Sequence, residues 1–436
     1  MAEAMSEMTR ADPGARLCGG VFHTRKAGSY RESTMAMMKE TRIFILCLML
    51  LSGCVNGTME TPARTKAPES AVPGFSGIVY GLKNRSHQGE IVATLLYADG
   101  RTRYAGTVGI SCNGQARSLL EDSQVNPGKI YLYSVCHRTG VINGLVVPRR
   151  SQPSSRFFLV GTYLGSWNAG WYVHPPDDMA LTPDGRFLYV GGERGSLIGF
   201  RVQRSGRLET ISHPVHPPVP ARTRILSLGI SADGEDLVVS EMVNQGFFLR
   251  QYRIDRNTGQ LEDPGQAIET PGPVRGLVPP DSLSNGNILA GVVRRKNHPS
   301  SFVVFRGGEG FGRNPPTVRT LSPADGRIRQ ILFGPSGHSL YVMSEAPVPC
   351  SGMHGKIRRY SVGEYGASLR PGPFVCGKTG GGFHNATWDP SDRLLITRSI
   401  IRIPDEPGLS PRLLSGRVAG DHGLVFVPAN GEALPK

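Results

Sequence analysis

The chain is predicted to be all-β: a seven-bladed β-propeller of four-stranded antiparallel blades, preceded by a signal peptide. Three observations lead there. The apolar runs are short and are closed by turn residues drawn from 56 glycines and 34 prolines among 436 residues, and no long amphipathic helix stands out. A hairpin-and-turn signature recurs with a period near 53 residues, the length of one blade in a radial array of small sheets. Ahead of that array lies one short apolar run with basic residues before it and a cysteine after it.

Residues 1–37 carry neither helical nor strand periodicity and read as an over-extended start or a disordered segment. From Met38, a basic stretch (Lys39, Arg42) leads into nine apolar residues, Ile43–Leu51, then Ser52, Gly53 and Cys54. Nine residues of helix span only about 14 Å, too short to cross a bilayer. Residues 38–53 therefore read as a secretory signal, and Leu51-Ser52-Gly53-Cys54 resembles the bacterial lipobox. That resemblance implies cleavage before Cys54 and acylation of it, palmitate included. With Val55 rather than Asp next in the chain, it also implies sorting to the outer membrane, facing the periplasm. Two or more acyl chains give stable anchoring. Residues 54–75 then form the lipidated cysteine and a polar, Pro-rich tether.

Residues 76–436 are assigned to the propeller. Its clearest unit is Leu181–Ile211. Pro183-Asp184-Gly185 makes a tight turn, and Phe187–Val190 is apolar on both faces, as a strand covered on both sides must be. Leu197–Val202 forms the next strand, and Arg204-Ser205-Gly206 turns it into a third, Arg207–Ile211. The closing hairpin recurs with turn glycines Gly100, Gly206, Gly259, Gly366 and Gly431, spaced by 106, 53, 107 and 65 residues. The doubled spacings predict weaker copies near residues 153 and 312, which makes seven. The stretch Arg398–Arg417, which lengthens the last spacing, reads as an insertion, either binding or inert.

Of seven cysteines, Cys18 and Cys47 precede the cleavage point and Cys54 takes the lipid. The remaining four imply two disulfides in an exported chain. Cys112 is paired with Cys136 and Cys350 with Cys376, each pair being assigned to a single blade. The formal charge of +14, less the +2 held by residues 1–53, leaves +12 scattered over the blades. Without a basic run or interleaved aromatics this reads as a solvated surface facing anionic lipid or polysaccharide, not as a nucleic-acid site.

The unit Leu181–Leu208 resembles the repeat of the lactonase-type propellers, the 6-phosphogluconolactonase-like and YVTN-repeat family, in its Pro-Asp-Gly turn, Leu-Tyr-Val strand, Gly-x-x-x-x-Phe-x-Val strand and Gly turn. Ile230–Leu261 and Leu332–Val342 carry the same pattern, and Trp388–Thr397 a fainter one. The resemblance implies that innermost strands line a central channel. The family's basic-His pair ahead of each inner strand falls on Asp177-Asp178, Leu226-Ser227, Val274-Arg275, Arg329-Gln330 and His384-Asn385. These polar residues are expected to share one cavity: Asp177, Asp178, Gln330 and Asn385 as binding groups, and, for a hydrolase, His384 as base with Arg275 and Arg329 stabilising the oxyanion. In that family a last strand closes the ring against the first blade. Here the chain stops shortly after Gly431, so that strand is expected to be missing or to come from Ala71–Ser76.

Two other patterns carry less. Gly372–Thr379 has the spacing of a phosphate-binding loop, but Gly380-Gly381-Gly382 cannot start the helix such a loop needs, so no nucleotide is expected. His213 and His216 lie in a Pro-rich loop without a third ligand close in sequence, so neither metal nor cofactor is expected. Two functions remain: a ligand-binding or protein-interaction scaffold of the cell envelope, with an envelope protein or polysaccharide as partner, or a lactonase-like hydrolase working in the funnel.

Overall fold

The computed structural model describes residues 74–428, except 86–87, 111, 113–115, 123, 127–128, 149–161, 169–175, 194, 196, 212–222, 263–266, 280–287, 294–299, 307–310, 312–316, 321–325, 335–336, 346–354, 364–367, 378–385, 390–393, 397–398, 403–411 and 418–421. The signal peptide, Cys54 and the tether lie outside the described residues, as do Cys350, His384 and Asn385.

All the described secondary structure is strand or turn. The first strands are β1 (Phe75–Arg85), β2 (Gln88–Tyr97) and β3 (Thr102–Ile110), followed by β4 (Ala116–Asp122), β5 (Lys129–Cys136), β6 (Val141–Pro148) and β7 (Thr162–Asn168). Next come β8 (Pro176–Leu181), β9 (Phe187–Gly192), β10 (Leu197–Val202) and β11 (Leu208–Thr210), then β12 (Thr223–Ile230), β13 (Asp236–Val243), β14 (Gly246–Arg253) and β15 (Ala267–Thr270). The fifth group is β16 (Val274–Val278), β17 (Ile288–Val293), β18 (Ser301–Arg306) and β19 (Thr317–Thr320); the sixth is β20 (Arg327–Phe333), β21 (Ser339–Glu345), β22 (Gly355–Val362) and β23 (Leu369–Gly377). The chain finishes with β24 (Thr387–Asp389), β25 (Leu394–Ile396), β26 (Ser399–Arg402), β27 (Arg412–Arg417) and β28 (His422–Pro428).

Among the described residues these strands form seven four-stranded antiparallel sheets. Six are consecutive runs that start at β4, β8, β12, β16, β20 and β24, and the other is ordered β28-β1-β2-β3. The first strands of neighbouring sheets lie side by side: β28 against β4, β4 against β8, β8 against β12, β12 against β16, β16 against β20, and β24 against β28. Each sheet therefore contributes one strand to an inner ring.

The core is divided to match. One buried cluster lies between the first sheet and the second, including Ile78, Tyr80, Leu132 and Cys136. Another joins the second to the third through Tyr133, Val135, Leu188 and Val190. The series continues through Tyr189 with Leu237, Val238 with Leu289, Ala290 with Ile331, and Met343 with Leu395. It returns to the first sheet through Leu394 and Ile396 with Val79 and Leu96. A four-stranded sheet cannot bury two apolar faces by itself. Stacking each on the next around a ring buries both, which is why Phe187–Gly192 is buried at every position.

Turn chemistry sets the pitch of the units. Gly185 has φ 72°, its N–H donates to Thr182 O at 2.8 Å, and the Thr182 hydroxyl donates to Asp184 at 2.6 Å. The same device recurs where Ser231 donates to Asp233 ahead of Gly234. Gly100, Gly206 and Gly259, three of the recurring turn glycines, have positive φ, while Gly366 and Gly431 lie outside the described residues. Tyrosines tie the second sheet to a turn of the third, and the third to a turn of the fourth. Tyr133 donates to Gly206 O, and Tyr189 to Gly259 O, both at 2.7 Å. Burial pushes both phenols well above their usual range, so they stay neutral donors.

Several expectations need correction. The closing strand is neither missing nor taken from Ala71–Ser76. It is β28, which pairs antiparallel with β1 through Ile78 with Val427 and Tyr80 with Val425. The turn signal at Asn430-Gly431 made Val425–Leu434 look like an outer hairpin, yet its first half is an inner strand. The seventh outer hairpin is instead β26–β27, inside the supposed insertion Arg398–Arg417. Its Pro-rich middle, residues 403–411, hid the flanking strands.

Cys112 and Cys136 are disulfide-bonded, but not within one blade. Cys112 follows β3 and Cys136 ends β5, so the bond joins the first two sheets. Cys376 is also disulfide-bonded. Of the stretch with phosphate-loop spacing, Gly372–Gly377 belongs to β23, an outer strand.

Candidate functional site

Six of the seven inner strands share one local irregularity. The register slips by one residue between Arg117 and Leu119, Pro176 and Asp178, Ile225 and Ser227, Arg275 and Val278, and Ile328 and Gln330. A slip also occurs where β28 meets β1. A bulge re-aims side chains that a regular pleat would send to alternate faces. All these bulges lie near the start of their inner strands, beside the ends of the partner strands. One end of the ring thus collects the polar residues that interrupt otherwise apolar strands.

Asp177 is the extra residue of the β8 bulge and Asp178 the next paired one, and they are used differently. The Asp178 carboxylate accepts from its neighbour Met179 N–H at 2.9 Å, and from the Ser227 hydroxyl and Leu228 N–H of β12 at 2.7 and 3.1 Å. Ser227, fully buried, accepts in turn from Leu277 N–H of β16 at 3.1 Å. Three successive inner strands are stitched together by one carboxylate and one hydroxyl.

Asp177 is the hub of a charged cluster. Its side chain is wholly buried, and one oxygen accepts from Arg224 Nε at 2.8 Å. Arg224 also reaches Glu193 through Nη2 at 2.8 Å. Burial would lower the Arg224 pKa, but the hydrogen bond and charge of Asp177, with Glu193 behind, outweigh it and hold the group above its usual value. On the other side, His137 Nδ1 lies 2.7 Å from Pro176 O and 3.9 Å from the second oxygen of Asp177. His137 comes from the turn after β5, Asp177 from β8 and Arg224 from β12: three neighbouring sheets.

The remaining predicted residues lie further along the ring. Arg275 is half-buried on β16, the strand whose Leu277 closes the Ser227 contact. On β20, Arg329 donates through Nε and Nη2 to one carboxylate oxygen of Glu345 at the end of β21. Gln330 is half-buried, and its Oε1 is enclosed without a hydrogen-bond partner among the described residues. At the same end of the fourth sheet, Glu241, buried, is held by Arg250 at 2.8 Å. Asp177 and Asp178 are thus each bound to the next strand, and Arg329 is countered by a carboxylate. His384 and Asn385 lie outside the described residues.

Sequence reasoning missed His137, Glu193 and Arg224. His137 and Glu193 follow the second strands of consecutive sheets, Lys129–Cys136 and Phe187–Gly192, each just before a turn glycine. A comparison of strand ends, alongside strand starts, was the available signal. Arg224 gave none, because Thr223-Arg224 follows a Pro-rich loop and lies two residues ahead of the pair that the repeat marks.

Among the described residues no group of three or more His, Cys, Asp and Glu side chains is arranged to hold a metal ion.

No family model matches the chain. A stretch of 86 residues, 20% of the chain, is 34% identical to a 6-phosphogluconolactonase of Pectobacterium carotovorum and covers 24% of it. The chain therefore spans about a quarter of the length of the curated relatives it matches. In structure, 83% of the chain superposes on the whole of a candidate 6-phosphogluconolactonase from Bacteroides fragilis, with a TM-score of 0.60 at 14% identity. A second from Bacteroides uniformis is covered over 98% of its length by 82% of this chain, with a TM-score of 0.56 and again 14% identity. At such identities the likeness bears on fold alone: a propeller of antiparallel blades of the lactonase-like kind.

Proposed function

We propose that the chain is an envelope-anchored hydrolase of lactone-type esters, working at the mouth of the propeller channel. What supports this reading is the meeting of an imidazole, a buried carboxylate and a guanidinium from three sheets, His137, Asp177 and Arg224. Opening a lactone with water needs a proton acceptor for the water and a cationic donor where the carbonyl oxygen gains charge. This cluster offers one of each, and the likeness to lactonase-like propellers favours the same class of chemistry. A panel of five- and six-membered lactones, with spontaneous hydrolysis subtracted, tests it. We expect at least one substrate to be opened about 100-fold faster than in buffer; no acceleration across the panel refutes the reading.

A second reading, the ligand-binding or protein-interaction scaffold, is favoured by how many polar groups are committed to one another: Asp178 to Ser227, Arg329 to Glu345, Glu241 to Arg250. A module of this kind with a formal charge of +12 should bind acidic polysaccharide in a salt-dependent way.

Either reading places the propeller at the membrane through lipid on Cys54. Labelled palmitate should enter the full chain and not Cys54→Ala; equal labelling of both would remove the anchor from the proposal.

A further inference from the structure

We infer that His137 is the base of this site, with Nε2 as the nitrogen that takes the proton. The inference rests on the hydrolase reading and deepens it. Pro176 O can only accept a hydrogen bond, so the 2.7 Å contact requires the proton of the neutral ring to sit on Nδ1. That leaves the lone pair on Nε2, which has no partner among the described residues. The imidazole side chain is 24% exposed, while the Asp177 carboxylate behind it is wholly buried. A ring nitrogen pinned from behind by a carbonyl and a nearby carboxylate, with the other nitrogen facing away from them, is oriented to accept a proton.

The charged groups around the ring complete the arrangement. Asp177 is shared: one oxygen lies near His137 Nδ1 and the other receives Arg224 Nε, whose Nη2 is held by Glu193. Arg224 is thereby fixed with its charge balanced, and among the described residues its Nη1 has no acceptor. In the reaction, Nε2 takes a proton from water as the water oxygen bonds to the lactone carbonyl carbon and the carbonyl π pair moves onto oxygen. The oxyanion is stabilised by the guanidinium. Its electron pair then returns, the ring C–O bond breaks, and the proton on Nε2 passes to the departing ring oxygen. One lactone and one water give one hydroxy acid.

The decisive variant is His137→Asn. Its amide can replace Nδ1–H opposite Pro176 O but offers nothing at the position of Nε2. On a lactone turned over by the wild type, we expect kcat to fall about 100-fold or more, with an unchanged melting temperature. Wild-type turnover that survives in folded His137→Asn overturns the role of His137 and leaves the hydrolase reading standing. A wild type inactive on the whole panel overturns both. Should His137→Asn fail to fold, nitrogen-15 spectra of the wild-type imidazoles decide: the His137 ring must be protonated on Nδ1 when neutral, and an Nε2–H tautomer overturns the inference.

Discussion

Gly259→Ala should destabilise the propeller by about 3 kcal/mol. Gly259 closes the outer turn of the fourth sheet with φ 73°, a region where a Cβ costs about 1–2 kcal/mol. The new Cβ would also lie 2.3 and 2.5 Å from ring atoms of Phe187 and 2.8 Å from Ile211 Cδ1. Phe187 is 2% exposed and packed between the third and fourth sheets, so it has nowhere to retreat. Overpacking of this kind typically adds about 1–3 kcal/mol, and the stiffer unfolded chain returns about 0.4–1 kcal/mol. Tyr189→Phe is the companion measurement. It removes only the hydroxyl that Gly259 O accepts at 2.7 Å, and should cost about 1 kcal/mol. Urea unfolding reads both. A Gly259→Ala midpoint equal to the wild type would mean that the turn is not packed as described.

Loss of the Cys112–Cys136 bond should cost about 3 kcal/mol. The bond closes a loop with a sequence separation of 24, and constraint of the unfolded chain over such a loop has that size. It also fixes the connection after β3 against β5, where both sulfurs are buried among Ile78, Ala116 and Leu132. Cys112→Ala, Cys136→Ala and the double variant should all lose nearly the same amount, because each removes the same bond. Additive losses would show that the cysteines stabilise by packing alone.

Much of the architecture was legible because propeller units are local. Thr182-Pro183-Asp184-Gly185 and Ser231-Ala232-Asp233-Gly234 announce the inner turns through residues that need no tertiary partner to act, and Gly206 and Gly259 mark outer turns by their φ. The disulfide was legible as a pair of residues but not as a location, since spacing along the chain does not say which sheet a connection joins. Ring closure was illegible for a related reason. An inner strand such as β28 looks like any other apolar run, and nothing local tells that it pairs with the start of the domain. At the mouth, the repeat pointed to Asp177, Asp178, Arg275, Arg329 and Gln330 because they sit at fixed positions on inner strands. Read at strand starts alone, it did not point to His137, which reaches Asp177 from the turn after β5 in a different sheet.

The pairing of β28 with β1 has a consequence for how the molecule is made. Every other sheet is complete once its own four strands have been synthesised, so these units can form in order as the chain emerges. The first sheet has to wait, because its innermost strand comes almost last. At about 5–20 residues per second, the strand Phe75–Arg85 stands unpaired on its inner edge for tens of seconds. Its Ile78, Val79 and Tyr80 are later almost wholly buried, so that edge is sticky while it waits. Closing the circle is also the contact of greatest sequence separation, and the most expensive in chain entropy. Among the described strands, the inner edge of β1 is therefore the one exposed longest during synthesis, until β28 pairs with it.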